Sequence, residues 1–253
     1  MPQNRLFIGI DDTDSLTSKG TGEITKSLAK QIESNNLGKV VNITRHQLFL
    51  SKKIKYTNIN NSACLEVTSC DFEKLFSFCK EFITENCQKC SNTAIVFSDS
   101  NNISNDIVEF SLKSKKEIVS INEAVMLIKN NNLNVKFLNN NKKKGIIGAL
   151  AAIGLRSTNN DGRVIWANGF EVPQMRGTYI AGEVYYQTHV DTIKTLDGYK
   201  IPTGSTIIYE NKLSKPILEN NVVTLLVEEI KEKRINSNEL MGAFSSNFKI
   251  LVN

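Results

Sequence analysis

No stretch of the 253 residues comes near the apolar length of roughly 20 residues that a membrane-spanning helix needs, which excludes a helical membrane protein. The opening residues Met1-Pro2-Gln3-Asn4-Arg5 lead into a strand-like segment without a signal-peptide cleavage region, so the expected location is cytoplasmic. Histidine is scarce: His46 and His189 are the two imidazoles, and neither has a setting that suggests Ser-His-Asp or Cys-His catalysis. The five cysteines, at 64, 70, 79, 87 and 90, are an odd number in a chain too long to need disulfide staples, which points to a reducing compartment. Cys87-Gln88-Lys89-Cys90 has metal-ligand spacing, but it has no second pair to complete four zinc ligands, and these read as ordinary thiols. Charge of one sign is in short supply as well, since 31 Lys+Arg against 26 Asp+Glu leave a net +5. That excess permits an anionic partner such as RNA without indicating one. There is no low-complexity nucleic-acid segment, and the Asn-rich stretches at 58–61 and 130–141 read as loops.

What is present is an ordinary globular composition, 40% hydrophobic and 23% charged, enough for one large or two small domains. Leu6-Phe7-Ile8-Gly9-Ile10 is apolar at both alternating positions, the pattern of a strand covered on both faces. After a polar loop with Gly20 and Gly22, the residues Ile24, Leu28 and Ile32 recur at helical spacing, with Thr21 as the N-cap and Glu23 in the first turn. Strands are expected at 39–43 and 63–67, then a helix on Phe72, Leu75, Phe76, Cys79 and Ile83, then a strand at 93–97. Ser120-Ile121-Asn122-Glu123 is a capping box that opens a helix, and a strand follows at 135–138. Residues 145–154 are apolar all round and too short for a membrane, which describes a buried helix. From Arg163 onward, strands are expected at 164–167, 178–186, 206–209 and 222–227. The fold class is α/β, mixed α+β.

The first strand stops at Asp11-Asp12-Thr13-Asp14. In an extended chain Asp12 and Asp14 project to one side and Asp11 to the other, so at least two carboxylates can converge on a cation. Magnesium suits them, because it takes hard oxygen ligands and lets phosphate oxygens complete its shell. Gly20, Thr21 and Gly22, with the helix start behind them, let backbone N–H groups approach a phosphate. This is the composition of a metal–nucleotide site, with Asp11, Asp12 and Asp14 as catalytic and metal carboxylates and Thr13, Gly20, Thr21 and Gly22 on the nucleotide. Lys142, Lys143 and Lys144 precede the buried helix, so three ammonium groups and a helix N-terminus can face one polyphosphate, although a lysine run is more often a solvated loop. Arg156 is a second cationic candidate. Two other readings stand beside this one. The acids are turn and capping residues, or Asp12 and Asp14 are the Asp-x-Asp pair of a haloacid-dehalogenase-type phosphohydrolase, a class whose further acidic pair has no counterpart here.

Gly9-Ile10-Asp11-Asp12-Thr13-Asp14-Ser15, followed by a glycine-containing loop and helix, resembles the opening of the archaeal tRNA agmatinylcytidine synthetases. Residues 56–63 resemble that family's Lys-Thr-Arg-Gly-Asn-Gly segment, and residues 145–154 resemble its Gly-Ala-Leu-Ala-Ala helix, so the likeness runs over roughly residues 5–155. It implies a kinase-like domain that binds ATP and Mg2+, from residues 1–60 and 138–253, with a ferredoxin-like module inserted at 61–137. It also implies ATP-dependent phosphoryl or nucleotidyl transfer that activates an acceptor oxygen, with Tyr56 and Asn61 toward the substrate, whether a small molecule or RNA. The departures are specific. Glu23 stands where the family carries a threonine important for phosphoryl transfer, with Thr21 and Thr25 nearby, and Thr57 and Ile59 replace a lysine and an arginine. These changes, and the absence of the family's tRNA-gripping domains after the matched part, suggest a shortened relative. A nucleotide-sensing or RNA-binding module without catalysis is the non-enzyme reading.

Overall fold

The computed structural model describes residues 4–13, 20–54, 60–87, 92–138, 144–210, 215–230 and 247–251. The first part of the chain forms β1 (Asn4–Asp11), α1 (Thr21–Ser34), β2 (Lys39–Gln47), β3 (Asn61–Ser69), α2 (Phe72–Asn86), β4 (Ala94–Asp99), α3 (Asn105–Ser114), α4 (Ile121–Asn130), β5 (Asn134–Phe137) and α5 (Ile146–Ser157). The rest forms β6 (Arg163–Ala167), β7 (Phe170–Glu171), β8 (Gly177–Ile180), α6 (Ala181–Thr188), β9 (Thr192–Lys194), β10 (Thr206–Tyr209), β11 (Ile217–Glu219), β12 (Val222–Glu229) and β13 (Asn247–Ile250). None of the described helices is long and apolar enough to cross a membrane.

β1 is the hinge of the architecture because both of its faces are apolar. Leu6, Ile8 and Ile10 turn to a core shared with Ile24, Leu28 and Ile32 of α1 and Leu75, Cys79 and Ile83 of α2. Phe7 turns to the opposite face and a second core with Ile107 and Phe110 of α3, Ala124 and Ile128 of α4, and Ile146, Ala149, Leu150 and Ile153 of α5. The sheet is therefore the middle layer of three, as its unbroken apolar run requires. The helix starts follow local chemistry: Asp71 accepts from Lys74 N at 3.0 Å to open α2, and Ser120 accepts from Glu123 N at 3.1 Å to open α4. α1 departs by one residue, its N-cap being Gly20 and Thr21 its first helical residue.

Over residues 4–99 the chain order is βαββαβ and the strand order is β4-β1-β3-β2, with every neighbour antiparallel. β3 and β4 hydrogen-bond directly to either side of β1. The ladder continues from β2 through β6 into the C-terminal strands, which close a third core around Val164, Val184, Ile193, Ile207, Leu225 and Val227.

Two helices differ from expectation, and the short strands β7, β9, β11 and β13 were not anticipated. Residues 181–186, expected to prolong a strand, begin α6, because Ala181, Val184 and Thr188 are the buried positions at helical spacing and the Glu183 carboxylate accepts from Ile180 N at 3.0 Å. The aromatic and β-branched residues there suggested a strand, and packing against β9 and β10 overrode that weak preference. α3 was not anticipated either: its polar sequence hides an inward face made of Ile107, Phe110, Ser111 and Ser114.

Candidate functional site

The C-terminal end of β1 lies between the N-terminal ends of two helices on opposite faces of the sheet. On one face α5 approaches without any intervening side chain. A Cβ on Gly9 would fall 2.0 Å from the Ala149 carbonyl oxygen, and a Cβ on Gly148 would fall 2.0 Å from Asp11 Oδ2. Asp11 thus rests its carboxylate against the first turn of α5, where the helix dipole favours negative charge. Gly145 completes the seam, with the Asp11 carbonyl 3.1 Å and the Asn92 carbonyl 2.7 Å from where its Cβ would be. Gly145 N also donates to Asn92 O at 3.1 Å. These contacts explain the glycines at 9, 145 and 148, which allow two pieces of backbone and a carboxylate to share one volume.

At Asp12 the backbone turns left-handed, with φ of 57°, a conformation that aspartate tolerates better than most residues. The Asp12 carbonyl is fixed by the Thr93 hydroxyl, which donates to it at 2.7 Å. The alternation expected for an extended chain therefore ends at Asp12, and Asp11 and Asp12 are each only partly buried. Asp14 lies outside the described residues. Among the described residues no group of three or more His, Cys, Asp and Glu side chains is positioned to hold a metal. Magnesium commonly takes only one or two protein carboxylates, with waters and phosphate oxygens as its other ligands, so Asp11 and Asp12 fit its demand. The Asn92 side-chain oxygen adds a polar group at this end of the sheet: it is buried, without a hydrogen-bond partner among the described residues, and it lies two residues before the Ala94 that pairs with Asp11. No residue spacing in the sequence marked it.

On the other face, Thr13 is buried and its hydroxyl lies 3.1 Å from that of Thr21, which joins the acidic turn to the start of α1. Gly22 is covered by Arg45 of β2, whose Cδ would be 3.2 Å from a Cβ there. Arg45 in turn donates to the Asn61 side-chain oxygen at 2.9 Å. Thr13, Gly20, Thr21, Gly22 and Asn61 are thus brought to one end of the sheet together with Arg45, which sequence reasoning missed because an arginine on a strand carries no signal. Lys215 was missed for the same reason. It donates to the carbonyls of Val172 and Pro173 at 3.1 and 3.2 Å, and burial, with Lys26 and Arg45 close by, holds its pKa below the ordinary lysine value.

Tyr56, Lys142 and Lys143 lie outside the described residues, and Lys144 is exposed. The α5 N-terminus that the lysines were expected to share with a polyphosphate is met by the Asp11 carboxylate. Arg156 is no ligand-facing cation. It is fully buried, ion-paired with Glu66, and bonded at 2.9 Å to the side-chain oxygens of both Asn159 and Asn221. Glu23 is exposed and pairs with Lys26 at 2.7 Å. The threonines beside it are turned inward: Thr21 is buried, and Thr25, wholly buried, donates to Thr21 O at 2.6 Å.

His46 has a setting that the sequence did not suggest. Its Nε2 lies 2.8 Å from Thr44 Oγ1 and its Nδ1 lies 2.8 Å from Asp161 Oδ1, the connectivity of a nucleophile, base and acid. Thr44 and His46 are both wholly inaccessible, so no substrate can reach them. Burial holds the His46 pKa below its ordinary value, while the Asp161 hydrogen bond acts against this. Burial alone would raise Asp161; the bonds from His46 and Lys115 outweigh it and hold that carboxyl below the usual range. The four described cysteines are free thiols, and burial pushes Cys64 up to about 12, which leaves it unreactive.

No family model matches the chain. Over 152 residues, 60% of this chain and 50% of the relative, it is 32% identical to an uncharacterized protein of Methanocaldococcus jannaschii. Over 154 residues, 59% of this chain and 36% of the relative, it is 30% identical to TiaS of Archaeoglobus fulgidus, the 2-agmatinylcytidine synthetase of an isoleucine tRNA. A crystal structure of TiaS in complex with that tRNA and ATP superposes with a TM-score of 0.53 at 28% identity, covering 60% of this chain and 36% of that one. The chain thus spans between about a third and a half of the length of these relatives, and over that part it is homologous to TiaS.

Proposed function

From this homology and the strand-end geometry together, we propose that the β1 end is an ATP- and magnesium-binding site that serves tRNA modification, activating an acceptor oxygen by phosphoryl or nucleotidyl transfer. The observation that carries the reading is the seating of Asp11 and Asp12 between the starts of α1 and α5, on a seam kept open by Gly9, Gly145 and Gly148. Asp11 and Asp12 would hold the metal, which when bound neutralises the charge of the triphosphate. The amides at Gly20, Thr21 and Gly22 face a phosphate with the positive end of α1 behind them. Arg45, oriented by Asn61, supplies a delocalised cation at the same end. Catalysis in such a site rests on positioning and charge neutralisation, for which few moving side chains are needed. RNA is the acceptor candidate, and a small amine the candidate nucleophile that displaces the activated oxygen, as the TiaS complexes with tRNA and with agmatine suggest.

One observation favours a second reading, a nucleotide-binding module without transfer. The hydroxyls of Thr21 and Thr25 are buried and bonded, and by the resemblance Glu23 beside them stands at the position of the family threonine. Isothermal calorimetry of ATP with magnesium, and again in EDTA, tests the site. Binding is expected with the metal and not without it. Asp12→Asn should abolish that dependence while changing stability by no more than about 0.5 kcal/mol, because asparagine also accepts the left-handed backbone and the position is partly exposed. Equal affinity in EDTA overturns the site. Binding without any ATP turnover in the presence of bulk tRNA and agmatine selects the second reading.

A further inference from the structure

The C-terminal strands carry a feature for which the nucleotide site has no use. Asn168 and Gly169, with φ of 50° and 94°, form the two-residue turn between β6 and β7, the mirror-type turn that suits a tight hairpin. Residue 171 turns toward α1, where Glu171 pairs with Lys26 at 2.8 Å and Lys30 at 2.6 Å, so its strand neighbour Phe170 points to the other face. There Phe170 stacks on the His189 imidazole, with ring centroids 3.7 Å apart and planes inclined by 12°. One face of the phenyl ring is therefore covered, yet the residue is 53% exposed, so the other face is open.

Both rings are held by their backbones. His189 caps α6 in the left-handed conformation, with φ of 54°, and its N–H donates to Tyr185 O at 3.0 Å. Asn168 Nδ2 donates to His189 O at 2.8 Å and to Asp191 Oδ1 at 2.9 Å, which clips the hairpin to the segment after α6. Around the open ring the surface is polar, with Asn168 and Asp191 on one side and the exposed Lys39, whose Cε would lie 3.6 Å from a Cβ on Gly169. An apolar protein partner would need a contiguous apolar patch. A flat group with a π-face and a polar rim is what an isolated, preorganised ring among polar neighbours accepts.

We propose that Phe170, backed by His189, is a stacking platform for an unpaired nucleobase of single-stranded RNA, with Lys39 beside it for a backbone phosphate. Unpaired bases are the part of RNA that proteins read by stacking, and an aromatic face takes any base. The proposal rests on the RNA-acceptor part of the function above. Counting strands and rungs, Phe170 stands about 25 Å from Asp11, a separation that several nucleotides of extended RNA can bridge.

The test is a fluorescence titration of a short single-stranded RNA bearing 2-aminopurine with the full chain, in the absence of ATP and magnesium. Leaving nucleotide out keeps failure of this platform separate from failure of the nucleotide site. Saturable quenching is expected for the wild type, an affinity loss on the order of tenfold for Phe170→Ala, and retention for Phe170→Trp. A strand of the same length made abasic should bind the wild type as weakly as the normal strand binds Phe170→Ala. Unchanged melting of Phe170→Ala is expected from the exposure of the ring. Wild-type affinity in Phe170→Ala, equal losses in Phe170→Ala and Phe170→Trp, or undiminished binding of the abasic strand would overturn the platform.

Discussion

α5 meets charge at both of its ends, and the two ends are built in opposite ways. At its C-terminal end Arg156 lies buried against Glu66, whose carboxylate also accepts from Arg5 and from Asn42 Nδ2 at 3.1 Å, and Asn221 bonds both guanidinium groups. The guanidiniums of Arg5 and Arg156 lie 5.4 and 5.2 Å from the centre of the Phe7 ring. Burial alone would raise the Glu66 pKa, and the two arginines hold it below the usual range. At the N-terminal end the aspartates are only partly buried, and a glycine, Gly148, makes the close approach to the Asp11 carboxylate. Both ends obey the helix dipole, with the cation at the C-terminus and carboxylate at the N-terminus. The difference is what identifies a site: a wholly buried charge held by several partners ties elements together, and carboxylates at an accessible seam can take a ligand.

The sharpest way to break this comparison is at the buried end. Arg156→Ala strands Glu66 in the interior and should cost about 3–5 kcal/mol in urea unfolding, as loss of one partner of a buried pair does. A loss under about 1 kcal/mol would mean that this end is no more structural than the other. At the glycine seam Gly9→Ala should cost about 1–3 kcal/mol, because the added methyl meets the backbone oxygen of Ala149 and the helix itself must shift. Urea unfolding measures this loss too, and an unchanged midpoint would show the seam to be slack.

The smallest effect is a pH dependence just beyond the C-terminal end of α5, where burial holds His46 in the neutral form against the pull of its Asp161 partner. Because the folded pKa of His46 lies below its ordinary value of 6.5, the unfolded chain takes up a proton that the folded chain refuses. Stability should therefore fall as pH drops through that value, by at most about 1.4 kcal/mol per pH unit for one proton. Urea midpoints between pH 8 and 5 should show this slope, and His46→Gln should flatten it. Further acid loss then follows as Glu66 and Asp161, with depressed pKa values, are protonated.

Much of this molecule is local and was legible as such. The doubly covered β1, the inward stripe of α1, the Ser120 cap of α4 and the buried α5 each follow from a periodicity or a cap within a dozen residues. The acidic turn was legible for the same reason, as three carboxylates stand within four residues. Arg156 misled because a glycine-rich helix in front of it looked like a phosphate cradle, and only its partner Glu66, 90 positions away, shows it to be structural. His46 and Asp161 are separated by 115 positions, and Arg45 and Asn61 meet across two strands. The Phe170–His189 stack depends on α6, in a stretch expected to be strand.

By itself the sequence determined where most strands and helices of the first part lie, which faces they bury, and that acids crowd the end of the first strand, because backbone propensity and apolar periodicity act over a few residues. Tertiary structure alone decided that β3 and β4 flank β1, that Asp11 rests on α5 while Thr13 is tied to α1, and that Arg156 is spent inside. Those outcomes are set by strand pairing and by the balancing of buried charge, and both join residues that the chain keeps far apart.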